Sequence, residues 1–240
     1  MNQLFLTGQR AIVTGGTRGI GFAIAKALTE AGANVAICGR SQVNVDTAVR
    51  QLTNGQERKV VGKVADVSSS TQVADLFSFV DKQLGGLDVL VNNAGVGIFK
   101  STAQLSLDEW RTTVDTNLSG VFYCSREALK RMQSQVGGGY VINIGSLAGK
   151  NVFAGGAAYN ASKFGLKGFS EAMMLDHRQD GVRVSHIMPG SVDTEFSPGA
   201  ARADWKIAPE DIGEIVLDLL RMPKRTLISR VEVRPSKPPK

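Results

Sequence analysis

The sequence predicts an α/β fold, with a doubly wound sheet of seven parallel strands flanked by helices on both faces. Short apolar, β-branched runs alternate along the chain with longer segments of helical periodicity. Parallel strands need crossover connections of a dozen or more residues, usually helical, and every connection here is long enough. A glycine-rich turn also follows the first strand and opens the first helix, which is the context of a nucleotide-binding loop.

The elements follow one another in regular order. The strand segments are RAIVTG (10–15), NVAICG (34–39), KVVGKVADV (59–67), LDVLVNNAG (87–95), GYVINIGS (139–146), VRVSHIMPG (182–190) and TLISRVEV (226–233). The helical segments between them are 19–31, 43–53, 71–84, 107–135, 157–179 and 209–221. We therefore expect a single domain over residues 1–230, with a short substrate segment at 191–208 and a basic Pro/Lys tail at 231–240.

The net charge of +6 originates in the end of the chain. Residues 221–240 hold seven basic side chains and one acidic one, so that the other 220 residues carry 21 of each sign. A tail of this kind is usually solvated, although a docking site for an acidic partner is an alternative. We expect no nucleic-acid partner.

The remaining composition is that of a cytoplasmic protein with no membrane association. The first residues lack the pattern of a signal peptide, and no apolar stretch reaches the ~18 residues of a membrane span. Cys38 and Cys124 are too few for a disulfide framework and lack metal-ligand spacing with His177 or His186. We expect structural thiols and no bound metal.

Residues 13–21 (VTGGTRGIG) form a candidate phosphate-binding loop. Gly15 permits a tight turn, Gly19 lets the backbone approach a pyrophosphate, and Gly21 allows close helix packing. The helix that begins here offers free N–H groups and a partial positive charge to an anion. The spacing G-x-x-x-G-x-G is one residue longer than the common dinucleotide fingerprint, so a glycine-rich turn without a ligand is the alternative interpretation.

The end of the second strand indicates which dinucleotide would bind. NAD-selective sites place an acidic residue there, about twenty residues past the glycines, for the ribose hydroxyls. This chain has Arg40 at that point and Arg18 in the loop. Two guanidinium groups could hold a 2′-phosphate through charge-assisted contacts, so NADP(H) is favoured over NAD(H).

Seven motifs occur in the order found in a known enzyme family. They are T-G-x-x-x-G-I-G at 14–21, Asp66-Val67, N-N-A-G at 92–95, N-L-S-G at 117–120, Ser146, Y-N-A-S-K at 159–163 and P-G-x-V-x-T at 189–194. With these motifs the chain resembles the short-chain dehydrogenase/reductase family, in its compact one-domain branch with a Rossmann fold. The resemblance implies that Asp66 and Val67 hold an adenine, that Asn92 shapes the cofactor cleft, and that residues 189–194 border the nicotinamide.

Carried over to this sequence, the resemblance implies two sets of site residues. The catalytic set is Asn117, Ser146, Tyr159 and Lys163. The cofactor-binding set is Gly15, Thr17, Arg18, Gly19, Ile20, Gly21, Arg40, Asp66, Val67, Asn93, Ala94, Gly95, Tyr159, Lys163, Pro189, Gly190, Val192 and Thr194.

The catalytic set suits hydride transfer to a carbonyl. The reaction builds negative charge on oxygen, so the site needs a donor that stabilises the charge and an acid that neutralises it. Tyr159 is the candidate acid, and Lys163, one helical turn away, is expected to lower the pKa of its phenol by roughly 1–3 units. Ser146 would donate to the substrate oxygen, and Asn117 would hold a water near Lys163.

We therefore expect an NADP(H)-dependent oxidoreductase, a carbonyl reductase or alcohol dehydrogenase acting on a ketone or aldehyde, with 3-oxoacyl groups among the candidate substrates. A catalytically silent NADPH-sensing binding protein on the same fold is the alternative. The segment after Thr194 is short and contains Phe196 and Trp205 as its only large apolar side chains, which indicates an open cleft and a small or loosely held substrate. No G-x-S-x-G elbow supports a serine hydrolase.

Helix 157–179 is also a candidate interface. Its small residues would let another helix approach closely, or would pack on the protein's own sheet: Ala157, Ala158, Ala161, Gly165 and Gly168. The resemblance implies a homodimer or homotetramer formed through this helix and segment 107–135. The chain ends without the T-G-x-x-x-x-x-D-G-G segment of many relatives, which favours the dimer.

Overall fold

The computed structural model describes residues 4–53, 55, 58–196 and 203–238. In these residues the strands are β1 (Arg10–Thr14), β2 (Asn34–Gly39), β3 (Val60–Val64), β4 (Val89–Asn92), β5 (Gly139–Ile144), β6 (Val182–Pro189) and β7 (Arg230–Val233). They form one parallel sheet in the order β3-β2-β1-β4-β5-β6-β7. The predicted doubly wound α/β fold is confirmed.

The helices lie where the periodicity places them, with one difference. They are α1 (Gly19–Glu30), α2 (Gln42–Thr53), α3 (Ser70–Leu84), α4 (Leu107–Val114), α5 (Gly120–Met132), α6 (Ala157–His177) and α7 (Pro209–Arg221). The predicted helix 107–135 is divided, because a π-helical turn at Asp115–Ser119 separates α4 from α5. Asn117 lies in this turn, and π-helical turns occur frequently at functional sites.

Local sequence explains where several helices begin and end. Ser69 accepts a hydrogen bond from the backbone of Gln72 at the start of α3, and Gly85 ends this helix in the left-handed conformation at φ +78°. Ser106 and Glu109 form a reciprocal capping box on α4. Such a cap stabilises a helix end by about 1 kcal/mol.

Alternate residues of the strands face opposite layers. In β1, Ala11 and Val13 belong to the core shared with α1, α2 and α7, whereas Ile12 belongs to the core shared with α3, α5 and α6. All three are 0 % exposed, and full burial of an aliphatic side chain such as Ile12 contributes roughly 1.5–3 kcal/mol. A sheet covered on both faces leaves its carboxyl edge as the accessible surface for a ligand.

The small residues of α6 divide between the inside and the outside of the protein. Ala158 is fully buried, and a Cβ at Gly165 would lie 2.8 Å from Leu118 Cδ2, so these positions pack within the protein. Ala161 and Gly168 are exposed, and a Cβ at Gly168 would meet no atom within 4 Å. The outward half of the stripe is free for another molecule.

Strand β7 extends further along the chain than the predicted domain boundary at residue 230. Val231, Glu232 and Val233 pair with Ile187, Met188 and Pro189, respectively. The sheet therefore includes residues 231–233, which belong to the predicted strand 226–233 but lie beyond the predicted domain boundary. Residues 234–238 are described, and 239–240 lie outside the described residues, as do 197–202 of the substrate segment.

The cysteines are free and buried, in agreement with a structural role. Burial raises the pKa of the Cys38 thiol to about 11 and raises that of Cys124 well above its ordinary value. Both thiols are thus protonated and poorly nucleophilic at neutral pH. In the described ranges, no helix combines the length and apolar content that crossing a bilayer requires.

Candidate active site

A cleft of about 1410 Å³ opens at the carboxyl edge of the sheet. The chain crosses from one side of the sheet to the other between β1 and β4, and ligands of open α/β sheets bind at such a point. Every residue of the predicted cofactor-binding set borders the cleft, as does Ser146. Asn117 is 1 % exposed and lies behind its wall.

The glycine loop packs so closely against neighbouring backbone that side chains would not fit at two of its positions. Gly15 and Gly19 have φ of +63° and +55°, the left-handed region that favours glycine. A Cβ at Gly15 would lie 2.9 Å from Ala94 Cα, and one at Gly21 would lie 2.3 Å from the Gly15 carbonyl oxygen. The loop is therefore held tightly against β4 and α1, with the N-terminus of α1 facing the cleft.

Asn93 fastens this loop to the end of β4. Its side-chain amide donates to the carbonyl oxygens of Thr14 and Gly15 at 3.0 and 3.1 Å. Its backbone N–H, and that of Ala94, donate to Thr14 Oγ1. The N-N-A-G motif thus orients the phosphate loop, and the bond to Thr14 explains why a hydroxyl precedes the first glycine.

Asn92 does not shape the cleft, contrary to what the resemblance implied. It is 2 % exposed and donates to Ser125 Oγ on α5 and to Asn143 Oδ1 on β5. Asn143 in turn donates to Ser170 on α6. This buried polar network ties α5 and α6 to the sheet below the site, so Asn92 supports the site from within the core.

The two arginines of the predicted phosphate site are both available to a ligand. Arg40 is exposed directly after β2. Arg18 is also exposed, and its guanidinium lies 3.7 Å from the Glu195 carboxylate. An exposed pair at this distance is weak, so a doubly charged phosphate could displace Glu195. A Cβ at Gly39 would lie 2.8 Å from Thr17 Cγ2, which shows that the loop lies over the end of β2 beside Arg40.

The remaining predicted cofactor contacts lie on both sides of this loop. The Asp66 carboxylate accepts two hydrogen bonds from Ser68, from its N–H at 2.9 Å and its hydroxyl at 2.7 Å. On the other side, the Gly190 N–H donates to the Val233 carbonyl, and Thr194 Cγ2 would be 3.4 Å from a Cβ at Gly19. The segment after β6 therefore reaches back across the cleft to the glycine loop.

Ser146 and Tyr159 meet at the opposite end of the cleft. Ser146 follows β5 and caps a short 3-10 turn, where its Oγ accepts from the Ala148 N–H at 3.1 Å. A hydrogen bond with Ser146 favours the ionised form of Tyr159, but burial raises its pKa more strongly, so the net direction is upward. The expectation of a lowered tyrosine pKa is therefore wrong for the protein alone, because the phenol is only 8 % exposed.

Lys163 is a buried cation one helical turn from Tyr159. Its ammonium donates to the Ile144 carbonyl at 3.2 Å and lies 5.6 Å from the centroid of the Tyr159 ring. Burial lowers the pKa of Lys163 to about 8. The ammonium therefore retains its proton at neutral pH and can release it in weakly alkaline solution.

The Asn117 side chain joins two parts of the site. Its Oδ1 accepts from the Val96 N–H at 2.8 Å, and its amide donates to the Val96 carbonyl and to Ser162 Oγ. The loop after β4 is thereby fixed to α6 between Tyr159 and Lys163. Asn117 positions both elements, and the predicted water link to Lys163 stays a prediction.

Several residues of the cleft were missed in the sequence. Phe99 and Phe153 stand beside Tyr159 with Phe196, and Arg234 and Pro235 border the cleft after β7. Their loops have no periodicity. Their position just after β4, β5 and β7 was a usable signal, because all strand ends meet at this edge.

His186 is a buried histidine below the site. It is 2 % exposed, and neither ring nitrogen has a hydrogen-bond partner among the described residues. Burial and the nearby cations Lys163, Lys167 and Arg230 lower its pKa to about 4. It is therefore neutral at physiological pH. The described part of the chain holds no cluster of three His, Cys, Asp or Glu residues that could bind a metal.

Comparisons with known proteins agree with this geometry. A model of the short chain dehydrogenase family matches residues 9–204. An uncharacterized oxidoreductase of Staphylococcus aureus is 33% identical over 231 residues, which cover 96% of this chain and 98% of that protein.

Two solved structures superpose over nearly the whole chain. A metagenomic short-chain oxidoreductase in complex with NADP has a TM-score of 0.86 and 36% identity, over 97% of this chain and 99% of that one. An alcohol dehydrogenase from the archaeon Thermococcus sibiricus, complexed with 5-hydroxy-NADP, has a TM-score of 0.89 and 29% identity over the same shares.

Proposed function

The chain belongs to the short-chain dehydrogenase/reductase family of oxidoreductases, and from this membership we propose that it is an NADP(H)-dependent enzyme that interconverts a ketone or aldehyde and the corresponding alcohol. The observation that carries the proposal is the meeting of Ser146, Tyr159 and Lys163 at one end of a cleft whose other end is the glycine loop. The glycine-loop end would bind the dinucleotide, and the end with Ser146, Tyr159 and Lys163 would bind the carbonyl group.

The residues present fit NADP(H). A Cβ at Gly19 would meet only Thr194 within 4 Å, so the loop backbone at this point is open to the cleft and a pyrophosphate could approach it. The N-terminus of α1 has no acidic side chain in its first turn that would repel such an anion. Arg18 and Arg40 would hold the 2′-phosphate. In similar proteins the bound ligand is NADP or 5-hydroxy-NADP. When bound, the reduced nicotinamide supplies the hydride that the carbonyl carbon receives.

Side chains of the protein orient and protonate the carbonyl oxygen of the substrate. The Ser146 hydroxyl donates to the carbonyl oxygen and orients it. Tyr159 then transfers its phenolic proton to the same oxygen as negative charge develops there. The upward direction of the Tyr159 pKa keeps the phenol protonated at neutral pH, which is the form that reduction requires.

Lys163 restores the tyrosine after turnover. A nearby ammonium stabilises a phenolate in a buried site. The Lys163 ammonium therefore stabilises ionised Tyr159 and supplies the proton that restores its phenol. Because the pKa of Lys163 is about 8, its proton is exchangeable close to neutral pH, unlike that of an ordinary lysine. The carbonyl of Ile144 holds the ammonium in place.

The proposed assembly is a homodimer formed through α4, α5 and α6. Trp110, Phe122, Phe164 and Leu175 of these helices are 42–58 % exposed, which is unusual for large apolar side chains. With the free positions Ala161 and Gly168, they form an apolar face suited to a second copy of the chain.

The enzyme is tested by consumption of NADPH with a panel of small ketones, aldehydes, 3-oxoacyl thioesters and sugars. We expect turnover with a carbonyl compound and a lower KM for NADPH than for NADH. Tight binding of NADPH without oxidation across the panel would instead support the silent binding protein. A preference for NADH would refute the assignment of Arg18 and Arg40.

A further inference from the structure

Aromatic rings surround the reacting end of the cleft. The ring centroids of Phe99, Phe153 and Phe196 lie 5.5, 6.4 and 5.9 Å from that of Tyr159. They come from the loops after β4, β5 and β6 and meet because those strands end at the same edge. We call these three phenylalanines the aromatic wall.

The aromatic wall is exposed although it is apolar. Phe99, Phe153 and Phe196 are 41, 45 and 40 % exposed, and Val152 beside them is 75 % exposed. Covering apolar surface of this kind with a ligand removes it from water, which is favourable for binding. Tyr159, however, is only 8 % exposed, so the three phenylalanines cover much of its ring and a substrate at the phenol contacts them. A flat aromatic group can make ring-to-ring contacts with this surface that a saturated ring cannot.

The backbone fixes two of the rings. A Cβ at Gly97 would lie 2.7 Å from a ring carbon of both Phe99 and Phe196. Both rings therefore rest on the backbone of this glycine. Phe99 and Phe153 are 5.7 Å apart at 60°, within the range of tilted aromatic pairs, and a substrate ring can add contacts of the same type.

Two lysines near the wall are already paired with carboxylates. Lys100 binds Glu109, and Lys150 binds Glu232. The wall thus offers aromatic surface with the hydroxyls of Ser146 and Tyr159 at its base, which suits a neutral substrate better than a sugar or a charged acyl carrier.

We propose that the substrate is a neutral carbonyl compound with an aromatic ring on the carbonyl carbon, an aryl alkyl ketone or an aryl aldehyde, and that the aromatic wall sets this preference. The proposal rests on the carbonyl reductase activity proposed above. Reduction adds a hydride to the carbonyl carbon and a proton, from Tyr159, to the oxygen. The products are the aryl alcohol and oxidised NADP.

The test compares two ketones that differ in the flatness of one ring. Acetophenone and cyclohexyl methyl ketone share the acetyl group and the number of ring carbons. With NADPH in excess, we expect kcat/KM to be about tenfold higher for acetophenone, because one or two aromatic pairs contribute a factor of this order. The variants Phe99→Leu and Phe153→Leu keep apolar bulk and should reduce the ratio toward one.

A matched control and a reference substrate separate the possible failures. Phe79→Leu, on α3 and away from the cleft, should keep the wild-type ratio, and circular dichroism verifies that each variant is folded. Butane-2,3-dione has no ring and reports whether the hydride-transfer site works. Its reduction without any preference for acetophenone overturns the inference but leaves the proposed function intact. Failure of NADPH oxidation with every carbonyl tested overturns both.

Discussion

Acid should destabilise this protein through His186. The imidazole is 2 % exposed, without a hydrogen-bond partner among the described residues, and a Cβ at Gly145 would lie 2.0 Å from its Nε2. The cations Lys163, Lys167 and Arg230 oppose its protonation further. The folded protein therefore binds a proton at His186 only near pH 4, whereas an unfolded chain does so near 6.5.

The difference between the folded and unfolded pKa of His186 determines how the free energy of unfolding changes with pH. Because the pKa is lower in the folded state, this contribution to stability is complete above pH 6.5 and is lost as the pH falls toward 4. The free energy of unfolding falls by about 1.4 kcal/mol per pH unit in this window. We expect a loss of about 2 kcal/mol between neutral pH and about pH 5. Glu109, Glu127 and Glu232, whose pKa values lie below the ordinary 4.5, add little above pH 5.

Urea unfolding, followed by circular dichroism at about pH 7.5 and about pH 5, gives the difference in the free energy of unfolding. Both measurements use one protein concentration, because the stability of an oligomer depends on concentration. His186→Asn removes the titrating group and should be nearly insensitive to this change of pH. His177→Asn, at the end of α6, removes the other histidine and should behave like the wild type. If His186→Asn and the wild type lose equal free energy, the reasoning is refuted.

Three further predictions concern the cofactor, the proton and the assembly. Arg40→Asp should lower the ratio of kcat/KM for NADPH over NADH by roughly ten- to a hundredfold, since a charged hydrogen bond to the 2′-phosphate is replaced by repulsion. Arg50→Asp makes the same charge change on α2 and should leave this ratio almost unchanged. Equal ratios in both variants would contradict the phosphate site. The rate of carbonyl reduction should fall as the pH rises above about 8, because Lys163 loses its proton. A pH–rate profile that is flat from neutral pH to about pH 9.5 would contradict proton supply by Lys163. Phe164→Asp should convert a dimer into a monomer in size-exclusion chromatography with light scattering, while Val43→Asp on α2 should not. A wild-type monomer, or a Phe164→Asp variant that stays dimeric, would exclude the apolar face of α4, α5 and α6 as the dimer interface.

The fold was predictable because its signals are local. Each strand is a short apolar run, and each helix has its own periodicity and, in α3 and α4, its own cap. The glycine loop was equally clear, since Gly15 and Gly19 adopt the left-handed backbone that only glycine enters readily. The carboxyl ends of parallel strands share one edge, so motifs far apart in sequence could be assigned to one cleft.

The parts that escaped prediction depend on packing between distant segments. Asn92 and Asn93 are adjacent in one motif, but strand alternation sends the first into the core and leaves the second beside the glycine loop. The tyrosine pKa was expected to fall, because the sequence shows the neighbouring lysine and not the burial that outweighs it. Phe99 and Phe153 lie in loops without periodicity, and only the structure brings them onto Tyr159.

The most direct test of the account is NADPH oxidation by Tyr159→Phe with a ketone that the wild type reduces. The variant keeps the ring and loses only the acidic hydroxyl, and general acid catalysis contributes typically 10²–10⁴-fold. We predict that turnover falls at least about a hundredfold while the variant still binds NADPH in a calorimetric titration. Tyr123→Phe, on α5, is the control and should retain full activity. Turnover by Tyr159→Phe at the wild-type rate would contradict the proposed chemistry.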